Sequence, residues 1–234
     1  FIRVKNEGVL REQTLERTLL ELNDLLGVTV RSLLKPGELP GTSNLVLEVK
    51  EGPAYSFAFD MDNYGSEFAG PLHYNFSANV GNLFKLGDQF SLRVIQSDFT
   101  QSLVAPSFSY PINNYGTSLK LSYSHSKQSL GKELVALYAE GNSDSFTSEL
   151  SHPLYRSRLG QLTLKGGYSI RESRNFQLGE PSSRDNLRAF HISLGGNYTD
   201  RFRGRTFAEL KFNQGISDSN ENRPLLSRAR ARGN

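Results

Sequence analysis

The sequence contains no cysteine and no tryptophan, a single methionine, and no apolar run longer than a few residues. The missing cysteine excludes disulfides and thiolate metal sites. The missing long run excludes a transmembrane helix, which needs about 20 consecutive apolar residues. Hydrophobic residues make up only 37% of the chain, and mean hydropathy is −0.46. Neither value excludes a membrane barrel, because half of each barrel strand faces water. A net charge of +3 is too small to argue for nucleic acid, and much of the basic excess sits in the tail from Arg223 to Arg232. The chain opens at Phe1-Ile2-Arg3 with no basic n-region and no apolar h-region, so either a signal has been removed or the chain is a fragment.

What the sequence does have is alternation. In 71–80, Leu72, Tyr74, Phe76, Ala78 and Val80 share one parity, with His73, Asn75, Ser77 and Asn79 on the other. Strand side chains alternate with period two, so this segment has one apolar and one wet face. Past a turn at Asn82–Asp88, Phe90, Leu92 and Val94 alternate with Ser91 and Arg93. The device predicts strands at 55–64, 71–80, 89–97, 103–111, 117–127, 142–153, 160–171, 188–199 and 205–215. Strands of about ten residues with one apolar face suit a tilted crossing of a bilayer.

The connections sort by length. Those at 81–88, 112–116, 154–159 and 200–204 are short. Those at 128–141, 172–187 and beyond 216 are long, although 65–70 and 98–102 are not. Outer-membrane barrels place short turns on the periplasmic side and long loops outside. Expected lipid-facing residues include Leu119, Leu121, Tyr123, Leu162, Leu164, Tyr168, Ile170, Phe190, Ile192, Leu194 and Tyr198. Tyr64, Tyr74, Tyr110, Tyr123, Tyr155 and Tyr198 are expected near strand ends, as an aromatic girdle. Arg93, Lys120, Lys165 and Lys211 are expected on the inner face, lining a hydrated lumen. A soluble β-sandwich with its core on the apolar face is the rival reading.

Before Gly52-Pro53 the pattern differs. Leu15, Leu19, Leu22 and Leu26 recur at helical spacing, and Gly27 follows as a C-cap. Val28–Leu34 and Leu45–Val49 read as strands, separated by turns at Pro36-Gly37 and Pro40-Gly41. Residues 1–52 therefore form an α+β piece, and 53–234 an all-β region.

Motifs for chemistry are weak. Asp60-Met61-Asp62-Asn63-Tyr64-Gly65 begins like a calcium loop, but Tyr64 and Pro71 stand where oxygen ligands belong. Ser124-His125-Ser126-Lys127 fits a Ser-x-x-Lys pattern, yet at a strand end and with Ser124 and His125 on opposite faces. The four histidines are scattered, with no metal-ligand spacing. No catalytic residue, cofactor or metal is expected.

Leu19–Val30, Leu34-Lys35-Pro36-Gly37 and Pro40–Val49 resemble the end of the second POTRA domain of two-partner secretion transporters, the TpsB family. Asp62-Asn63-Tyr64-Gly65 is similar to that family's first hairpin. Asn82, Leu86, Gly87 and Asp88 match part of its Asn-Pro-Leu-Gly-Leu-Gly-Asp turn, with Phe84-Lys85 in place of Leu-Gly. Ser109-Tyr110-Pro111-Ile112 and Ser151-His152-Pro153-Leu154 resemble its strand endings. Leu26 stands where the family usually has proline, and the lid-loop motif Val-Arg-Gly-aromatic is absent.

The resemblance implies a mainly β chain: part of a POTRA domain, then about nine strands of a larger transmembrane antiparallel barrel. It implies an outer-membrane transporter, with a periplasmic N-terminal region, that exports an unfolded exoprotein of haemolysin, adhesin or contact-dependent toxin type. Lipid would surround it, and no nucleic acid is involved. Substrate would be captured as an added strand on the edge formed by Val28, Thr29, Val30 and Arg31, with Arg17 and Glu21 on the helix walling the groove. An assembly factor of the same superfamily, an outer-membrane hydrolase barrel and a soluble β-rich binding module are the alternatives.

Overall fold

The computed structural model describes residues 11–216, apart from 40, 66, 68–69, 99–100, 130 and 132–137. A helix, α1 (Glu12–Asn23), is followed by a hairpin of β1 (Val28–Pro36) and β2 (Ser43–Glu51). Nine strands follow in one antiparallel sheet: β3 (Tyr55–Asp62), β4 (His73–Gly81), β5 (Gln89–Ser97), β6 (Gln101–Pro111), β7 (Ser118–Ser129), β8 (Glu140–Arg156), β9 (Gly160–Gln177), β10 (Glu180–Thr199) and β11 (Arg205–Ile216). Each pairs with its sequence neighbour, so the sheet is an unbroken meander from β3 to β11. All nine strands read from the alternation are present.

Cross-strand partners lie on the same face, so register alone sorts the side chains. One continuous row runs Met61, Tyr74, Gln96 and Ser102; the next runs Phe59, Phe76, Val94 and Val104. Further along, Phe108, Leu121, Ser148, Tyr168, Phe190 and Gln214 form one row. Leu164, Leu194 and Leu210 belong to another. This face is apolar and open: Phe57 is 62% exposed, Ile192 50% and Phe212 61%. Among the described residues, only Val30 and Ala78 are buried apolar side chains. An ordinary globular domain puts its aliphatic and aromatic residues inside. Here they point outward, away from a polar face, which is the arrangement a barrel wall needs in lipid.

The strands are not uniform. β8, β9 and β10 run to 17, 18 and 20 residues. At roughly 3.3 Å per residue and about 40° tilt, 18 residues rise about 45 Å, against an apolar band about 25 Å tall. The segment 172–187, expected as a long loop, is instead a β-ribbon closed by a two-residue turn. Gln177 pairs with Glu180, and Leu178 and Gly179 both have positive φ, 54° and 79°, as a type I′ hairpin requires. The ribbon bends at a register shift between Pro181 and Ser183.

The helix also departs from expectation. It begins at Glu12 and ends at Asn23, so Leu25 and Leu26 lie in the turn beyond it, before Gly27 at φ 78°. Tyr74, Tyr110, Tyr155 and Tyr198 sit at strand ends and Tyr64 just past β3, whereas Tyr123 lies mid-strand.

Candidate functional site

The helix–hairpin unit seats against one end of the sheet, and three charged side chains fix it there. Arg17 on α1 donates from Nε to Glu21 Oε1 at 2.8 Å. Its Nη2 donates to the carbonyls of Tyr115 at 3.1 Å and Pro153 at 2.9 Å. Arg156 at the end of β8 returns the contact, donating to both carboxylate oxygens of Asp24 at 2.7 Å. The Arg158 amide donates to Glu16 Oε1 at 2.9 Å. Tyr115 and Arg158 lie in two of the short connections, and Pro153 and Arg156 in the last residues of β8. Small residues let the surfaces meet. A Cβ on Gly81 would lie 2.8 Å from Leu26 Cβ, and one on Gly87 3.2 Å from Leu25 Cδ2. At Gly116 it would meet Pro153 Cγ at 2.8 Å and Glu21 Oε1 at 3.0 Å.

The turn between β4 and β5 is built for that seat. Asp88, 2% exposed, accepts from the Phe84 amide at 3.0 Å, and Asn82 Oδ1 accepts from the Gly87 amide at 3.2 Å. Phe84 then packs edge-on against Phe108, ring centroids 5.9 Å apart. Asn82, Lys85 and Gly87 all have positive φ. Glycine supplies that conformation without strain, and Lys85, where the resembled turn has glycine, adopts it against its Cβ.

The structure thus turns Arg17 and Glu21 toward the sheet's turns, not toward β1. The hairpin edge has its own polarity. Asn23 clamps Val30 from outside: its Oδ1 accepts from the Val30 amide at 2.8 Å, and its Nδ2 donates to the Val30 carbonyl at 3.0 Å. The Val28 amide donates outward to the Leu25 carbonyl at 3.2 Å, while the Gly27 carbonyl accepts from Gly52 on the β2 side at 2.8 Å. Successive residues alternate sides, so the amides of Thr29 and Arg31 face β2. Ser32 and Leu34 carry the outward amides farther along the same edge.

On the sheet, register puts Arg93, Lys120, Lys165 and Lys211 on one face, opposite the apolar one. Lys120 pairs with Glu149, while Lys165 and Lys211 both pair with Ser193 from its two sides. His191 Nε2 reaches Glu149 Oε2 at 3.1 Å across the intervening strand. Gly167 makes this possible, since a Cβ there would fall 2.5 Å from His191 Cε1. A hollow of about 400 Å³ opens on this face, lined by Ser77, Arg93, Ser107, Lys120 and Thr147 from five strands. The four cations are spread over the face and converge on no single point.

His125 and Asp144 lie on the apolar side, where Asp144 Oδ1 sits 2.8 Å from His125 Nδ1 and accepts from the Tyr123 hydroxyl at 2.6 Å. Ser124, one residue on, faces the other way, so this carboxylate–imidazole pair activates no serine. Asp60 and Asp62 hold the Asn75 amide at 2.7 and 3.3 Å, and no metal cluster occurs among the described residues.

The family model described as "Haemolysin secretion/activation protein ShlB/FhaC/HecB" matches residues 41–230. The chain belongs to this family. The heme/hemopexin transporter protein HuxB of Haemophilus influenzae (strain 86-028NP) is 26% identical over 165 residues, covering 70% of this chain and 29% of HuxB. The outer membrane transporter CdiB-2 of Burkholderia pseudomallei (strain 1026b) is 28% identical over 225 residues, covering 91% of this chain and 38% of the relative. Among solved structures, CdiB from Escherichia coli superposes with a TM-score of 0.75 at 22% identity, covering 90% of this chain and 40% of CdiB. BamA from Haemophilus ducreyi superposes with a TM-score of 0.54 at 17% identity, covering 88% of this chain and 41% of that one. The chain therefore spans between 29% and 41% of the length of these proteins. The fold is part of an outer-membrane β-barrel, and the soluble sandwich reading falls.

Proposed function

We propose that the chain is the entry portion of a two-partner secretion transporter, which takes an unfolded exoprotein from the periplasm and passes it through the barrel lumen. The carrying observation is the family match over 41–230, laid on a nine-strand meander with an apolar outer and polar inner face. Residues 11–52 are the end of a periplasmic POTRA domain, so the short turns that receive α1 face the periplasm and the β9–β10 ribbon faces outside. The exported partner is a large exoprotein of haemolysin, adhesin or contact-dependent toxin type. Arg93, Lys120, Lys165 and Lys211 line the hydrated path. A chain crossing there meets serines and well-separated charges, which suit passage without tight binding. The function is conduction, and no residue acts as a catalyst. An assembly-factor role draws on the BamA likeness alone, which is weaker in both TM-score and identity.

Capture occurs at the β1 edge. An extended segment adds as a further strand through backbone hydrogen bonds, which tolerate many sequences. Val28 and Val30 are already tied to Leu25 and Asn23, so the incoming strand pairs first with Ser32 and Leu34. Thr29 and Arg31 contribute side chains, with their amides committed to β2. The test is Ser32→Pro in the full-length protein, which removes one outward donor and crowds the edge without touching the β1–β2 ladder. Secretion should fall at least tenfold at unchanged outer-membrane level. Normal secretion would rule out capture at this edge.

A further inference from the structure

The apolar outer face gives way to a charged band on β9 and β10. On β9, the outward positions after Ile170 are Glu172 and Arg174, a charged band that interrupts the apolar face before Phe176. Across the ladder, Arg184 stands directly opposite Arg174, and Asp144 opposite Glu172. Two like charges directly opposite on one face repel and would ordinarily splay apart. Here one carboxylate oxygen gathers both. Glu172 Oε1 accepts from Arg174 Nε at 2.8 Å and from Arg184 Nε at 3.1 Å, with Arg174 Nη2 2.7 Å and Arg184 Nη2 3.0 Å away as ion-pair contacts. The two side chains remain 53% and 65% exposed. The cluster is therefore a pair of converged, half-exposed guanidiniums, and with Asp144 opposite Glu172 and Arg188 opposite Ile170 on the same face, three guanidiniums stand against two carboxylates, a surplus of one positive charge.

Its height is fixed by the strand. At about 2.5 Å of axial rise per residue, Glu172 lies roughly 5 Å and Arg174 roughly 10 Å beyond Ile170. The headgroup layer on each side of the hydrocarbon is about 5–8 Å deep, and arginine side chains reach along the surface to their polar partners. We propose that Arg174 and Arg184 form a binding site for the phosphate groups of an outer-leaflet glycolipid. The guanidinium fork matches phosphate bidentately, and a phosphate of charge near −2 neutralises the pair more fully than one carboxylate does. The site would fix the ribbon of β9 and β10 against the lipid surface. It rests on the outer-membrane orientation proposed above but not on secretion, so its failure leaves the transport reading standing.

The test uses the full-length protein in a neutral detergent. It is titrated with bisphosphorylated lipid A, with the same lipid stripped of its phosphates, and with inorganic phosphate alone. Wild-type protein should bind the phosphorylated lipid at least tenfold more tightly than the stripped lipid. The double change Arg174→Ser and Arg184→Ser should remove that preference. Arg171→Ser, which removes one arginine from the same strand but the other face, should leave it within about twofold. Should the serine pair fail to fold, Arg174→Lys with Arg184→Lys keeps the charge, loses the fork, and should weaken binding at least threefold. Equal binding of both lipids, or an unchanged preference in the folded double variant, would overturn the proposal. Binding of inorganic phosphate with no gain from the lipid would assign a free-anion site and overturn the lipid as its source.

Discussion

Replacing Leu121 with arginine tests which face of the sheet meets lipid. Leu121 lies on β7 between Ser118, the strand's first residue, and His125, the outward imidazole farther along the strand. At about 2.5 Å of axial rise per residue it sits roughly 8 Å from the one and 10 Å from the other, near the middle of the apolar band. An outward arginine near the midplane of a barrel costs about 2–4 kcal/mol, a factor of roughly 30 to 700 in the folded-to-unfolded ratio. Lys120 is one residue away on the other face, opposite Glu149. Lys120→Ser removes a charge opposite Glu149, a cross-strand juxtaposition worth about 0.2–1 kcal/mol at most. The assay is heat-modifiable gel mobility and folded yield of both full-length variants in outer membranes. Leu121→Arg should lose most of its folded population while Lys120→Ser keeps it. The opposite ranking would mean that the register of β7 is inverted, and every facing assigned through the ladders would invert with it.

Two further predictions concern the end where the helix docks. Lys85→Gly should stabilise the barrel by about 1 kcal/mol, because Lys85 holds φ 59° and glycine meets no Cβ penalty there; a lowered midpoint in urea unfolding would refute the strain. Arg17→Ala removes three hydrogen bonds that join α1 to its own Glu21 and to the turns, together worth about 2–4 kcal/mol of docking. Limited proteolysis near Gly52-Pro53 should speed up several-fold while the barrel stays heat-modifiable, and unchanged cleavage would show that Arg17 is not the clamp.

The strands and their facing were legible because lipid imposes a strict rule on every second residue. Phe90-Ser91-Leu92-Arg93-Val94 states its two faces plainly. The same rule explains the misread ribbon. From Arg171 to Asn175 both faces are wet, so Glu172-Ser173-Arg174-Asn175 and Ser183-Arg184-Asp185-Asn186 lose the alternation while their backbones keep pairing. A polar stretch without period then looks like a loop. The docking of α1 was invisible for a different reason. Arg17 meets the backbone carbonyls of Tyr115 and Pro153, 98 and 136 residues away, and a carbonyl carries no residue identity. The edge polarity of β1 was hidden likewise, since strand pattern tells which face a side chain takes but not toward which neighbour its amide points.

These two hidden features meet in one place. Asn23 closes α1 and also caps Val30, so the last helical turn and the first outward positions of β1 are tied by a single side chain. Asp24, the next residue, is held by Arg156 of the barrel wall. One hydrogen-bonded path therefore runs from the barrel through Asp24 and Asn23 to the β1 edge proposed for capture. A strand added at Ser32 and Leu34 is placed at a fixed distance from the short turns, rather than on a free domain. On the proposed reading, that geometry would give substrate capture a defined position relative to the lumen, which an unfolded chain with little sequence signature needs if it is to enter end-on.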